Sequence, residues 1–361
     1  MAIRTQNTEF IDIFRVFFTG FHGARIKTLL LLVQALASVG SINLVRLAAG
    51  LKTEVDPESN YRRIQRFIHE IKFSSESLVP FLLKLVGITA PYTLILDRTN
   101  WQFGKAKINF LMLSVYGSGW SIPILWSLLP KKGNSTEEER IELLNRFLSI
   151  FGKGKVFNLL ADREFVGDTW IKFLIDHEIP FDIRIRENMF VECQGKRRRV
   201  SNLFKGLPIG QSLTIRSMVT LGNNKVYLQG QRIINSKTQR KEYLIVSTYC
   251  KPSESITRYG ERWYIENMFK DMKSNGFQLE STHVTDPDRL STLMSIISIA
   301  YAWMIRIGMW VKKTKPRIFK RKKHGRPAKS IFRAGMEEMV HTIYTMNLVK
   351  VKMYFNFLSC T

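Results

Sequence analysis

The spacing of apolar and polar positions changes character several times along the chain. Over residues 1–88, apolar residues recur with helical period, as in 10–21 and 26–37. The run 41–50 predicts a short helix stopped by Gly50, and 56–60 predicts a turn or N-cap. Segment 61–71 follows with Arg62, Arg63 and Arg66 on or near one face. A small helical domain that meets DNA through this face fits the pattern. A plain bundle with a solvated basic face fits it too. Near residue 90 the pattern turns to short β-rich runs at 92–96, 108–116, 122–128, 155–160 and 180–186, with helical spacing at 136–151 and 168–177. Three strands, then a helix, a strand, a helix and a strand predict an α/β domain with a mixed sheet. Asp97 and Asp162 each close a predicted strand, where α/β sheets commonly build sites.

Residues 191–245 alternate with period two over 212–219, 225–234 and 242–248, punctuated by Gly206, Gly210, Gly222 and Gly230. They predict a β-rich insertion, which also carries Lys196, Arg197, Arg198 and Arg199. Tyr227 and Tyr243 read as strand-packing residues. The stretch 259–273 lacks proline and predicts one helix. At about 100° per residue, Tyr259, Arg262, Glu266 and Lys273 share a stripe about 60° wide. Ile265, Met268 and Met272 form an apolar face beside it. Segment 290–311 is apolar and long enough to span a bilayer, but it holds Ser291, Ser295, Ser298 and Arg306. It is expected as a buried core helix. Residues 312–361 form a basic tail, whose run 320–329 is expected to stay flexible until it meets phosphate. The resulting division is 1–88, 89–190 with 246–311, the insertion 191–245, and the tail.

Charge narrows the choice of partner. There are 55 Lys and Arg against 30 Asp and Glu, a net charge of +25. That excess repels itself in a compact fold and attracts a polyanion, so nucleic acid is expected and an anionic membrane surface is the rival. With 45% hydrophobic residues the chain is not disordered. Cys193, Cys250 and Cys360 make no Cys-x-x-Cys pair, and the six histidines are scattered, so neither a zinc ribbon nor a disulfide framework is indicated. A reducing cytoplasm is expected. Residues 1–10 lack the apolar core of a secretory signal.

Asp97, Asp162 and Glu266 are far apart in sequence. If the sheet sets the two aspartates on adjacent strands, the helical glutamate can complete a triad. Three carboxylates without His or Cys suit Mg²⁺, or Mn²⁺. Two ions about 4 Å apart would activate a water or a 3′-hydroxyl and stabilise the leaving oxygen. Arg262 and Lys273 would then pair with phosphate oxygens. The bland alternative is that the aspartates are turn residues and Glu266 and Lys273 surface charges.

The order Tyr259, Arg262, Glu266, Lys273 resembles the Tyr-Arg-Glu-Lys signature of DDE transposases of the insertion sequence 4 family. The runs 96–101 (Leu-Asp-Arg-Thr-Asn-Trp) and 160–165 (Leu-Ala-Asp-Arg-Glu-Phe) resemble that family's two aspartate motifs, and 273–282 its post-glutamate segment. The resemblance implies a ribonuclease H-like catalytic domain, interrupted by a β-rich insertion and preceded by a helical N-terminal domain. It implies Asp97, Asp162 and Glu266 as a metal-binding catalytic triad. It implies that Tyr259, Arg262 and Lys273 hold the DNA backbone near the cut end. Trp263 stands beside them, with end DNA or helix packing as its two readings. The implied reaction is cut-and-paste transposition: a nick at the element end, hairpin formation, hairpin opening and strand transfer. The implied partners are double-stranded element ends and target DNA, bound by a homodimer in a paired-end complex at the bacterial nucleoid, with no membrane. A metal-dependent nuclease on the same fold, cutting without joining, is the alternative.

Overall fold

Side chains that can accept a backbone N–H mark where most of the first helices begin. In the computed structural model, which describes residues 14–235, 238–322 and 327–358, these helices are α1 (Gly23–Val39), α2 (Leu44–Gly50), α3 (Pro57–Glu70) and α4 (Ser75–Val86). Asn43, Asp56 and Ser74 cap α2, α3 and α4 with side-chain oxygens. Gly40, at φ 64°, ends α1 in the left-handed conformation that suits glycine. Phe14, Phe18 and Phe81 bind the layer with ring contacts at 5.0–5.8 Å. On α3, Ile64, Phe67 and Ile68 turn inward while Arg62 and Arg66 stay exposed. The start of the segment 10–21, residues 323–326 of the basic run, and Cys360 lie outside the described residues.

The β-rich runs form one mixed sheet of ten strands: β1 (Tyr92–Phe103), β2 (Ala106–Tyr116), β3 (Ser121–Leu128), β4 (Val156–Ala161), β5 (Phe181–Ile185), β6 (Phe190–Cys193), β7 (Lys196–Arg199), β8 (Ser212–Leu221), β9 (Asn224–Ile234) and β10 (Lys241–Thr248). Their order is β3-β2-β1-β4-β5-β10-β9-β8-β6-β7. The β1–β4 and β4–β5 pairs are parallel, while β1–β2 and β2–β3 are antiparallel. The β-rich segment is joined edge to edge, through antiparallel pairing of β10 with β5. Helices α5 (Glu137–Phe151) and α6 (Asp168–Asp176) make the crossovers. A reciprocal capping box of Thr136 and Glu139 opens α5.

One strand end differs from the sequence expectation. The parallel β1–β4 ladder stops at Leu96↔Ala161, but β1 continues to pair with β2 as far as Phe103↔Ala106. Asp97 therefore lies inside β1, held by its hairpin partner after β4 has diverged. Asp162 follows β4 directly. Register thus sets the two aspartates side by side where the strands separate.

Segment 290–311 lies within α9 (Pro287–Thr314), the one helix among the described residues long and apolar enough to cross a membrane. Its apolar stretch is 89% buried inside the fold, which accounts for its hydrophobicity without lipid. It packs on β3, α1 and α4. Trp126 donates to Ser291 Oγ at 3.0 Å, and Thr292 Oγ1 donates to the Ile71 carbonyl at 2.7 Å. The expected basic tail also carries two helices, α10 (Ile331–Tyr344) and α11 (Leu348–Leu358). A Cβ on Gly308 would overlap the Ile331 carbonyl, and one on Gly335 the Met304 carbonyl. Two glycines therefore let the α9 and α10 backbones touch. Buried Glu338 ties the end of the chain down, accepting from Lys315 and Lys350 and from the Tyr354 hydroxyl.

Candidate active site

The segment 259–273 is not one regular helix. It divides into α7 (Ser255–Gly260), α8 (Trp263–Lys270) and a π-helical turn at Asp271–Asn275. Between the two helices the backbone tightens to i→i−3 bonds: Arg262 N–H to Tyr259 O, and Ile265 N–H to Arg262 O. Three residues per turn brings Tyr259 and Arg262 onto one line, and Arg262 Nε donates to the Tyr259 hydroxyl at 3.2 Å. Ile265, Met268 and Met272 are buried, as the apolar face requires.

Arg258 and Asp182 anchor this segment to the sheet. The Arg258 guanidinium grips the fully buried Asp182 by two bonds, 2.6 Å from Nε and 3.0 Å from Nη2. Asn158 Nδ2 donates to the same carboxylate at 2.6 Å. Burial still pushes the Asp182 carboxyl up, against the pull of Arg258. These contacts fix α7 over β4 and β5, so its next turn faces the separating strands.

Arg262 reaches into that gap. Its Nη1 donates to Asp97 Oδ2 at 2.8 Å and its Nη2 donates to Glu266 Oε1. The Tyr259 hydroxyl donates to Asp162 Oδ1 at 3.0 Å. Asp97, Asp162, Tyr259, Arg262 and Glu266 thus form one connected network. Burial raises the Asp97 carboxyl to about 7, with Arg262 opposing it. Burial also acts to raise Asp162, but the Arg262 charge, the Arg163 amide and the Tyr259 hydroxyl outweigh it and hold that carboxyl below its usual value. Burial works against the Arg262 charge, yet Tyr259 and the three carboxylates more than compensate, so Arg262 is held firmly protonated. Tyr259 is pushed up by burial and stays a neutral donor.

Lys273 does not join this network. The π-turn carries it to the end of β1, where Nζ donates to the Asn100 carbonyl at 2.7 Å and pairs with Glu280 at 2.8 Å. Its ammonium lies over the Trp101 ring. Trp263 is 44% exposed at the start of α8. Tyr243 packs against Phe204 and under the Arg232 guanidinium.

Two further residues act on the site and were not singled out in the sequence. Arg98, next to Asp97, makes a two-bond ion pair with Glu164, two residues beyond Asp162, at 2.7 and 3.0 Å. Arg98 also donates to Asn109 and Asn134. This clamp joins the Asp97 segment of β1 to the turn that follows Asp162. The neighbourhood of Arg98 and Glu164 to the two aspartates was a signal, but pairing across 66 positions needs the register of β1 with β4.

The donor set of three carboxylates suits a hard divalent cation. In this arrangement, however, no three His, Cys, Asp or Glu side chains among the described residues are grouped to hold an ion. The Arg262 guanidinium supplies the positive charge between Asp97 and Glu266 instead.

Residues 89–303, more than half of the chain, match the family described as Transposase DDE domain. The chain belongs to the DDE transposase family. Its mixed sheet with covering helices is consistent with the ribonuclease H-like fold of that family. Members of this family are described as DDE transposases, a family that implies DNA binding and generally uses divalent metal ions. No curated protein matches the chain. Among solved structures it is similar to the C-terminal lobe of a budding yeast Argonaute, at 9% identity over 78% of this chain and 61% of that one, with a TM-score of 0.24. The chain therefore spans about three fifths of that structure, and so distant a likeness decides nothing further.

Proposed function

We propose that this transposase moves an insertion sequence by cut-and-paste chemistry, as a member of the insertion sequence 4 family, with Asp97, Asp162 and Glu266 as its catalytic carboxylates. The observation that supports this reading most is convergence. An acid inside β1, an acid just after β4 and an acid on α8 meet in one hydrogen-bonded network with Tyr259 and Arg262. A structural ion pair would need only two of them. A divalent cation, Mg²⁺ or Mn²⁺, held by these carboxylates would activate the attacking oxygen and offset charge on the leaving one.

The chain's own residues prepare for DNA. Arg262 neutralises Asp97 and Glu266 and keeps their carboxylates oriented while DNA is absent. An arriving phosphate offers the guanidinium two oxygens in the same fork geometry, so Arg262 exchanges carboxylate for phosphate and frees the acids. Tyr259, a neutral donor, orients Asp162. Lys273, at the β1 end, and the exposed Trp263 take the flanking backbone. The exposed Arg62 and Arg66 on α3 supply a second contact with the duplex. Nicking, hairpin formation, hairpin opening and strand transfer are each phosphoryl transfers that one such site serves in turn, in a homodimer holding two ends.

Cleavage of a labelled duplex carrying the element's end, by the native chain and by Glu266→Gln, tests the site. Loss of cleavage with DNA binding kept is expected. Equal cleavage by both removes Glu266 from the chemistry. A pre-cut end offered with target DNA separates this reading from a nuclease, which yields no joined product.

A further inference from the structure

Strands β6 and β7 form a two-stranded ribbon at the far edge of the sheet. The ribbon joins the rest through a single register pair, Glu192↔Thr220. Gln194 and Gly195 link its strands, both at positive φ (53° and 70°), the geometry of a tight two-residue hairpin. Strand β7 is nothing but cations: Lys196, Arg197, Arg198 and Arg199, all exposed. Alternation along a strand places Arg197 and Arg199 on one face and Lys196 and Arg198 on the other. Among the described residues, none of the four makes an ion pair with a carboxylate.

The aromatic residue facing them is unusual for an edge. Phe190 lies opposite Arg199 in register and is 46% exposed. The guanidinium carbons of Arg197 and Arg199 lie 4.8 and 5.8 Å from its ring centroid. The ring is thus a platform that orders two arginines at solvent-exposed positions. Ordering them in advance lowers the entropy lost when they bind an anion.

We propose that the β6–β7 ribbon is a further duplex-DNA contact, distinct from α3 and lying in the major groove away from the carboxylate network, with Phe190 holding Arg197 and Arg199 in place. A groove about 12 Å wide admits a two-stranded ribbon whose strands lie about 4.8 Å apart. Arginine is the side chain best suited to guanine edges and phosphates there. The four cations face one acid on the ribbon, Glu192, so the charge favours a polyanion. This inference rests on the transposase reading for its partner but uses none of the catalytic residues.

The test is a salt titration of duplex binding by the full chain, read by fluorescence anisotropy. It compares the native protein with Arg197→Ala/Arg199→Ala, Phe190→Leu and Phe190→Tyr. Removing two contacts should flatten the slope of log K against log salt by up to about 1.8 and weaken binding at least about tenfold near physiological salt. Phe190→Leu should weaken binding with little change of slope, and Phe190→Tyr should restore it, which a merely structural edge residue would not require. Guanine N7 protection from methylation should appear with the native chain and fade with the double variant. Native-like slope, affinity and protection in the double variant, with native-like melting, overturn the inference while leaving the transposase reading intact. Native protein that fails to bind duplex at low salt overturns both. Unchanged duplex binding with lost binding to phosphatidylserine vesicles assigns the ribbon to a membrane surface and also overturns it.

Discussion

Arg262 is the residue whose removal should say most about the site. In Arg262→Gln the charge between Asp97 and Glu266 is lost while the backbone stays free to form the same tight turn. Breaking a buried ion pair from one side costs about 3–5 kcal/mol when the remaining charge cannot reach water. Glu266, with its side chain 36% exposed, rehydrates and contributes little. Asp97, 15% exposed, cannot rehydrate, but it can take up a proton, since burial already raises it to about 7. Protonation limits the cost, so about 2–3 kcal/mol is expected near pH 8.5, and less near pH 6. The sign follows from linkage. A carboxyl raised on folding gives stability below its unfolded value of 3.8 that is lost as pH rises through about 7. Without Arg262 the folded value climbs further, so the variant goes on losing stability where the native chain has levelled, and the gap widens above pH 7. Urea unfolding in chelator at both pH values measures it. Added Mg²⁺ should then raise the variant's midpoint more than the native one, because no guanidinium competes for the carboxylates. Equal midpoints at both pH values, with equal response to Mg²⁺, would refute the picture of Arg262 as the counter-charge of this site.

Three other predictions concern positions outside the triad. Glu164→Gln removes the counter-charge of Arg98 in the clamp between β1 and the turn after Asp162; about 1–2 kcal/mol of stability should be lost, and kcat for cleavage should fall with duplex affinity unchanged, whereas a change in affinity alone would count against a positioning role. Burial raises the Asp271 carboxyl to about 6, against bonds from Asn275 and Tyr301. Its stabilising effect is therefore lost as pH rises from about 4 to about 6, and Asp271→Asn should gain up to about 3 kcal/mol on the native chain between pH 4 and pH 8, as read from paired urea titrations; parallel curves would mean that Asp271 is not held up by burial. Gly335→Ala ought to stabilise α10 by about 1 kcal/mol on helix propensity alone, but the new Cβ meets the Met304 carbonyl, which cannot rotate away. Net destabilisation of at least about 2 kcal/mol is expected in thermal melts, and a raised Tm would show that the two helices stand apart.

Periodicity carried much of the architecture. The strands at 108–116, 122–128 and 155–160, the helices at 136–151 and 168–177, and the buried character of 290–311 all rest on local alternation, caps and apolar runs, and the fold shows elements at these places. The residue types Asp97, Asp162 and Glu266 were likewise legible, since carboxylates near strand ends and on an amphipathic helix are local features. Pairing was not legible. Asp97 proved internal to β1 because its second partner strand continues where the first stops, which only the register reveals. The helix at 259–273 broke because side-chain bonds to Asp182 and packing on the sheet outweigh the small propensity that favours a regular turn. That break takes Lys273 off the stripe and lays Tyr259 against Arg262. The helices of the last segment do not show in the tail's charge because the basic run 312–329 ahead of them dominates its composition, and the apolar face of α10 is completed only by packing on α9 at Gly308 and Gly335. The sequence by itself determined which residues are apolar, capped, charged or acidic, because these are properties of neighbours along the chain. The tertiary structure alone decided that three distant acids join one network through Arg262 and Tyr259, and that four cations and a phenylalanine share one ribbon, because both depend on which strands lie side by side.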